Sequence, residues 1–336
     1  MVRLLPFLFL LCAVVICSAG CITDADEFSV GLIVDGRSLD DPFNMQALAA
    51  FDLLAAKGYT TYVENANSAE EIRAAFSKMA EKKPDLIVGI SYPVQLEFVE
   101  AAHAYPDLSF LSVDMDFSAQ PKNAASVKFQ AQESSFLAGY LAGMMTETNI
   151  VGVITGMDTD TIREFVYGYK AGVMYAGEAR GEKITVLWDD VGSFYDVEKG
   201  RSLALAEYSK GADVVFNVAG NAGLGVISAA HESGRYVIGV DVDQRYLAPD
   251  SVLASATKNI KETILLVVDR YSKGEDVSGE VLMFGVAEGS VALEGFSDVV
   301  SLDIREQITE IEDLIIMGDI VPPVTEMEFA AWALSI

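Results

Sequence analysis

Acidic and aromatic side chains recur in this sequence where short apolar runs end. Asp35, Asp114 and Asp241 each stand at the end of such a run, and Phe43 and Phe194 lie in segments that follow such runs. Two aromatic rings can hold a flat ring between them by stacking, and carboxylates accept hydrogen bonds from hydroxyl and ring N–H groups. We therefore predict a binding site for a flat, uncharged ring that carries hydroxyl groups.

The segment DDPFNMQ, residues 40–46, lies between an apolar run and a helical pattern. Its Phe43 stands beside Pro42 and Asn44, whereas a purely structural connection would be polar because loops run over the surface. We therefore predict that the ring of Phe43 faces a ligand.

The glycine-rich segment GNAGLG, residues 220–225, also follows an apolar run and opens a helical pattern. Its order is G-x-x-G-x-G, whereas a dinucleotide-binding turn reads G-x-G-x-x-G, so we expect no nicotinamide cofactor. A glycine there allows the backbone to approach a neutral ligand closely.

The sequence offers little support for catalysis. Its two histidines, His103 and His231, lie within helical patterns, and it contains no HExxH, GxSxG or P-loop motif. We therefore expect no catalytic residue, no metal site and no cofactor.

The elements that position these residues alternate along the chain. Strand-length apolar runs are followed by longer helical patterns from residue 28 to about residue 114, and the alternation restarts at 150–155. Such alternation is typical of βαβ units with parallel strands, and ligands of open α/β sheets bind beyond the carboxyl ends of those strands. With 336 residues, of which 51% are hydrophobic, the chain is predicted to form two α/β halves joined near 145–149.

Residues 1–20 have the order of a secretory signal peptide: one charge, an apolar run and a small-residue cleavage site. The apolar run 4–17 is shorter than the roughly 20 residues that a permanent membrane span needs. The cleaved chain would begin at Cys21, its only remaining thiol, followed by a polar tether over 21–27. The sequence SAGC resembles a lipoprotein cleavage site, although Ser18 stands where leucine is commonest. The resemblance implies that a lipid on Cys21 holds the protein to the outer face of the cell membrane.

The formal net charge of −27 makes nucleic acid and anionic membrane surfaces poor partners, because both require clustered Lys and Arg. We interpret the acidic surface as a solubility feature.

Several motifs together resemble the basic membrane protein family of substrate-binding lipoproteins, whose studied members bind purine nucleosides for ABC importers. The matching segments are DGRSLDDPFN (35–44), ESSFLAGYLAG (133–143), GADVVFNVAGNAGLGV (211–226), YVIGVDVDQ (236–244), LASATKNI (253–260) and GDIVPP (318–323). The resemblance implies a type I periplasmic binding protein fold, in which two doubly wound α/β lobes with three crossovers close on a ligand. The lobes implied are 28–147 plus about 256–281, and 148–255 plus about 282–336.

The resemblance also implies roles for individual residues. By this resemblance, Phe43 and Phe194 are the two rings that hold the base between them, and Gly220 lines the wall of the site. The implied polar contacts are Asp35, Asn44 and Asp114 to the base, and Asp241 and Lys258 to the ribose. The chain departs from the usual family loop at Asp41 and Pro42, where a lysine and a serine are common.

The resulting hypothesis is a monomeric, extracytoplasmic binding lipoprotein that delivers a nucleoside to an ABC transporter permease. The alternatives are a binder of another neutral ligand, such as a sugar or a signal molecule, and a ligand sensor for a membrane receptor. A nucleoside hydrolase that uses the aspartates is a further alternative.

Overall fold

A computed structural model describes residues 28–115, 117 and 119–335 of the chain. The expected signal peptide over 1–20, the tether over 21–27 and the lipidation of Cys21 lie outside these residues. Within them, no helix has both the length and the apolar character that crossing a membrane requires.

The described chain alternates strands and helices, as the sequence predicts. The strands are β1 (Ser29–Asp35), β2 (Thr60–Ala66), β3 (Leu86–Ile90), β4 (Phe110–Val113), β5 (Ala124–Phe129), β6 (Ile150–Thr155), β7 (Thr185–Asp190), β8 (Val214–Val218), β9 (Tyr236–Asp241), β10 (Val252–Lys258), β11 (Val281–Phe284) and β12 (Val291–Glu294). The helices are α1 (Pro42–Ala56), α2 (Ala69–Lys82), α3 (Gln95–Ala104), α4 (Ala131–Met145), α5 (Asp160–Arg180), α6 (Val197–Ser209), α7 (Gly223–Ser233), α8 (Ile260–Ser272), α9 (Leu302–Met317) and α10 (Glu326–Trp332).

The strands form two six-stranded sheets. The first has the order β11-β5-β4-β3-β1-β2 and the second the order β12-β10-β9-β8-β6-β7. The pairings are parallel except for β10 with β12, which is antiparallel. Inner strands such as β3 and β8 are buried along their whole length, as expected where helices cover both faces of a sheet. The predicted fold class, two α/β lobes of the type I periplasmic binding protein kind, is confirmed.

The chain passes between the sheets three times within the described residues. Strands β1 to β5 build the first sheet and β6 to β10 the second, after which β11 returns to the first sheet and β12 to the second. The three crossovers implied by the family resemblance are therefore present.

Helix packing suggests where the lobes divide. Helix α4 packs closely on α5 and also contacts β8, β10 and β12 of the second sheet, whereas α8 packs on α1 of the first. A Cβ atom added to Gly139 of α4 would lie 2.0 Å from the carbonyl oxygen of Tyr169 in α5, so the two backbones are in direct contact. We therefore propose lobe boundaries near 130, 259 and 285 in place of the expected 147, 256 and 281.

Candidate ligand-binding site

A cleft of about 800 Å³, counted together with the space that is open to solvent, lies between the carboxyl ends of the two sheets, and both lobes line it. Apart from Asp35, every residue predicted to contact the ligand lines this cleft: Phe43, Asn44, Asp114, Phe194, Gly220, Asp241 and Lys258.

The strand ends explain this convergence. Asp114 follows β4 directly, and Asp241 and Lys258 are the last residues of the neighbouring strands β9 and β10. Phe43 lies in the first turn of α1, which begins at Pro42 and is capped by the carboxylate of Asp41. The sequence therefore places side chains from both lobes at one opening, as expected for parallel sheets.

The backbone has positive φ angles at three strand ends that line the cleft. Ser91, Asp114 and Asp241 have φ angles of 75°, 57° and 66°, a region that residues other than glycine rarely adopt, although aspartate tolerates it better than most. Such conformations are frequent at ligand sites.

A buried ion pair crosses the cleft between the lobes. The Lys258 Nζ donates to Asp114 Oδ2 at 2.6 Å, and the two side chains are only 3% and 8% exposed. The ammonium also lies over the rings of Phe165 and Phe43, with 4.7 and 5.7 Å to their centroids. These contacts fix the position of Lys258 at the cleft wall.

Two further carboxylates surround this pair. Burial raises the pKa of Asp241 to about 7, and the opposing effect of Lys258 does not offset it. Burial also raises the pKa of Asp41, despite hydrogen bonds from the backbone N–H groups of Phe43 and Asn221. Three carboxylates around one ammonium favour a ligand that donates hydrogen bonds.

The structure places Asp35 behind the cleft wall and not on it. Its side chain is fully buried and accepts hydrogen bonds from Arg37 and from the hydroxyl of Tyr195 in the second lobe. Burial opposes ionisation, but these hydrogen bonds outweigh it and hold the pKa of Asp35 below its usual value. Asp35 is thus positioned to join the lobes, and its contact to a ligand stays a prediction.

Further contacts join the lobes around the segment DDPFNMQ. The Gln46 Nε2 donates to the carbonyl oxygens of Lys258 and Asp241 at 2.9 and 3.3 Å, and its Oε1 accepts from the N–H of Ile260. Asn221 Nδ2 donates to Asp40 Oδ1. These bonds join the two lobes directly beside the cleft.

The position of the Phe194 ring depends on a glycine. A Cβ atom added to Gly156, which follows β6, would lie 2.3 Å from Cδ1 of Phe194. Gly220 has a φ of 55°, and a Cβ atom there would lie 3.1 Å from Asp41 Oδ2. Both glycines therefore allow close approach at the cleft wall.

Sequence reasoning missed several lining residues, among them Asp41, Ser91, Phe165 and Tyr195. The pair Phe194-Tyr195 in a loop was an available signal, because adjacent aromatics in a connection are unusual unless they contact something. Nothing in the sequence distinguishes Phe165, which lies in the helical pattern of α5 like any core residue.

The described residues contain no group of three or more His, Cys, Asp or Glu side chains arranged to hold a metal ion. His103 and His231 are exposed on α3 and α7, and neither lines the cleft.

Comparisons with known proteins identify the family of the chain and proteins that share its fold. A family model described as ABC transporter substrate-binding protein PnrA-like, named Bmp, matches residues 28–326. The chain is 32% identical over 299 residues to Basic membrane protein A of Borreliella burgdorferi, covering 88% of this chain and 87% of that protein. It is also 32% identical over 294 residues to Basic membrane protein D of the same species, covering 86% and 84%.

Solved structures share the fold. A solute-binding protein of an ABC transporter system from Aeropyrum pernix superposes with a TM-score of 0.79 at 22% identity, covering 92% of this chain and 99% of that one. A transcriptional activator of the comK gene from Bacillus halodurans gives 0.75 at 24%, covering 88% and 100%. At these identities the similarity supports the fold alone.

Proposed function

The chain belongs to the Bmp family of PnrA-like ABC transporter substrate-binding proteins, and we propose that this member captures a purine nucleoside in its interlobe cleft. A ligand and a transporter permease are the partners that such a family implies. The proposed role is to bind the nucleoside outside the cytoplasm and deliver it to the permease.

The observation that carries the proposal is the combination of rings and carboxylates on opposite walls of one cleft. Phe43 and Phe194 come from different lobes, and each ring is only partly buried, so part of its surface is open to a ligand. Asp114, Asp241 and Lys258 supply hydrogen-bonding groups beside the rings. A nucleoside combines a flat base for stacking with ribose hydroxyls for the charged groups.

A sugar is the main alternative ligand, because sugars are also bound by stacking on aromatic rings and by hydrogen bonds to carboxylates. Calorimetry of the ligand-stripped protein against inosine, guanosine, adenosine, cytidine and ribose separates these ligands. We expect binding of the purine nucleosides and no measurable heat with ribose. Binding of ribose without any nucleoside would overturn the proposal.

Two other functions have their own tests. A nucleoside hydrolase would release free base, so chromatography after incubation with inosine should show no hypoxanthine if the protein only binds. A ligand sensor would require a receptor as its partner. Co-purification of the ligand-loaded protein with an ABC permease would support import, and co-purification with a receptor would support sensing.

We also propose that Cys21 is lipidated after removal of residues 1–20, which would tether the described domain through 21–27. Mass spectrometry of the membrane-bound protein should find an acylated N-terminal peptide beginning at Cys21. A soluble product that begins elsewhere would contradict this anchor.

A further inference from the structure

Ser91 occupies a backbone conformation that normally requires glycine. It follows β3 and has φ 75° and ψ 155°, outside the left-handed helical region that asparagine and aspartate tolerate. Glycine would adopt the same conformation without strain, so a serine at this position is expected to provide a benefit that glycine lacks.

No hydrogen bond within the described chain uses the Ser91 hydroxyl. Ser91 precedes the short 3₁₀ helix Tyr92–Val94, where a serine usually caps the helix, but its side chain makes no capping bond. The N–H of Val94 bonds instead to the Ser91 carbonyl oxygen. The hydroxyl oxygen is buried and has no hydrogen-bond partner within the described chain, although Ser91 lines the cleft.

A second buried polar atom without a partner in the described residues, Asp114 Oδ1, directly follows the neighbouring strand β4. Ile90 of β3 pairs with Val113 of β4, and the N–H of Ser91 bonds to the Val113 carbonyl oxygen, so Ser91 and Asp114 are adjacent at the cleft wall. Asp114 Oδ2 binds Lys258, while Oδ1 is buried without a partner in the described residues. Buried polar atoms that are left unpaired cost free energy unless a ligand satisfies them.

We propose that Ser91 is a ligand-contacting residue whose hydroxyl, beside Asp114 Oδ1, hydrogen-bonds to the captured molecule and sets its selectivity. The inference rests on the proposed nucleoside-binding function. The carboxylate oxygen accepts and the hydroxyl donates, so the pair recognises a donor next to an acceptor. The N–H and carbonyl of a 6-oxopurine edge supply this pattern, and so do two neighbouring ribose hydroxyls.

The test compares Ser91→Gly with wild-type protein in two measurements that should move in opposite directions. The melting temperature should rise, because glycine relieves the backbone strain. The affinity for inosine should fall about twofold to tenfold, as expected for the loss of one hydrogen bond. Ser91→Ala removes the buried unpaired hydroxyl but keeps the backbone strain, so it should lose the same affinity with a smaller gain in melting temperature than Ser91→Gly.

Lys83→Gly is the matched control. Lys83 ends α2 with a φ of 49° and does not line the cleft, so this variant should raise the melting temperature and leave inosine affinity unchanged. An effect of Ser91→Gly on affinity that Lys83→Gly lacks would therefore come from the cleft and not from greater stability.

Purine riboside, which keeps the ribose but lacks the 6-oxo group and the N1–H, locates the contact. A loss confined to inosine assigns Ser91 to the base edge, and an equal loss with both ligands assigns it to the ribose; either result supports the inference. If wild-type protein binds inosine and both Ser91 variants bind it equally well, the inference is overturned while the proposed function stands. If wild-type protein binds no nucleoside, the proposed function fails and the inference fails with it.

Discussion

Phe43 and Phe194 approach the cleft from different lobes and from different kinds of local structure. Phe43 is held by the first turn of α1, whose N–H groups bond to Asp41, and Phe194 lies in the loop between β7 and α6 next to Gly156. Each ring packs only partly on the core, so its removal should affect a ligand more than the fold.

Phe43→Ala and Phe194→Ala should each weaken nucleoside binding by about 1 to 3 kcal/mol, the range found for stacking of a base on an aromatic side chain. Calorimetry gives the affinity, and circular dichroism should show an unchanged fold. Phe28→Ala is a suitable control, because Phe28 packs edge-on against Tyr59 and does not line the cleft. A variant with wild-type affinity would remove its ring from the site.

Asp241→Ala should distinguish a nucleoside from its free base. If Asp241 accepts hydrogen bonds from the ribose, the variant should lose about 1.5 to 3 kcal/mol of inosine binding, or tenfold or more in affinity. Hypoxanthine never makes that contact, so its affinity should change little. Equal losses for inosine and hypoxanthine, accompanied by a lower melting temperature, would indicate that Asp241 only stabilises the turn after β9.

The difference between Asp35 and Asp114 shows what sequence can predict at this scale. Both follow apolar runs, and the position of both at strand ends was predictable from hydrophobic patterning. Whether such a carboxylate faces the cleft depends on its neighbours in space, and Arg37 and Tyr195 bind Asp35 while Lys258 draws Asp114 toward the opening. The strain at Ser91 is a property of backbone angles that no residue pattern reveals.

Helix α6 contains a buried acidic residue, Glu207, which packs against the second sheet. The Glu207 side chain is fully buried, and within the described residues neither carboxylate oxygen has a hydrogen-bond partner. It packs against Gly152 of β6, where an added Cβ atom would lie within 1.8 Å of its Oε2. Burial, with a contribution from Asp189, raises the pKa of Glu207 to about 8.

This acid should make stability depend on pH. Because the folded-state pKa of about 8 lies above the ordinary glutamate pKa of 4.5, the protonated form stabilises the fold below about pH 4.5, and this contribution is lost as the pH rises to about 8. Glu207→Gln cannot ionise, so its melting temperature should increasingly exceed that of wild-type protein as the pH is raised from 5 to 8. Parallel melting curves over this range would show that Glu207 does not titrate there.

The element order was readable from the sequence, but the packing of α4 was not. Helix α4 is similar in apolar character to α1 of the first lobe and to α7 of the second, so its composition gives no reason to assign it to either half. The glycines of α4 determine its lobe, because they allow α4 to approach α5 closely. Only the three-dimensional packing shows that α5 is the helix that lies opposite these glycines.

At the scale of the whole molecule, bonds that span the cleft determine how readily the lobes close. Tyr195 of the second lobe donates to Asp35 of the first, and the Arg37 guanidinium lies 5.2 Å from the centre of the Tyr195 ring. Gln46 and Asn221 add hydrogen bonds across the same opening, to the Lys258 carbonyl oxygen and to the Asp40 carboxylate. A ligand that binds the closed form better than the open form increases the fraction of protein molecules that are closed.

Tyr195→Phe should weaken closure while leaving the cleft lined by the same rings. It removes a hydrogen bond to a charged group, so we expect about a tenfold loss of nucleoside affinity. Small-angle scattering of the ligand-free variant should show a larger radius of gyration than wild type. In the control Tyr208→Phe, the lost hydroxyl bonds to the Tyr236 carbonyl oxygen within the second lobe, so affinity and radius should stay unchanged. Equal effects of the two variants would contradict a closure role for Tyr195.

In the proposed complex, a nucleoside lies between the two lobes with its base held by both rings. A crystal structure of the ligand-stripped protein soaked with inosine tests this directly. We predict that the base lies between the rings of Phe43 and Phe194 and that the ribose lies within hydrogen-bond distance of Asp241 and Lys258. Inosine bound outside the cleft, or in the cleft without either ring against its base, would contradict the account.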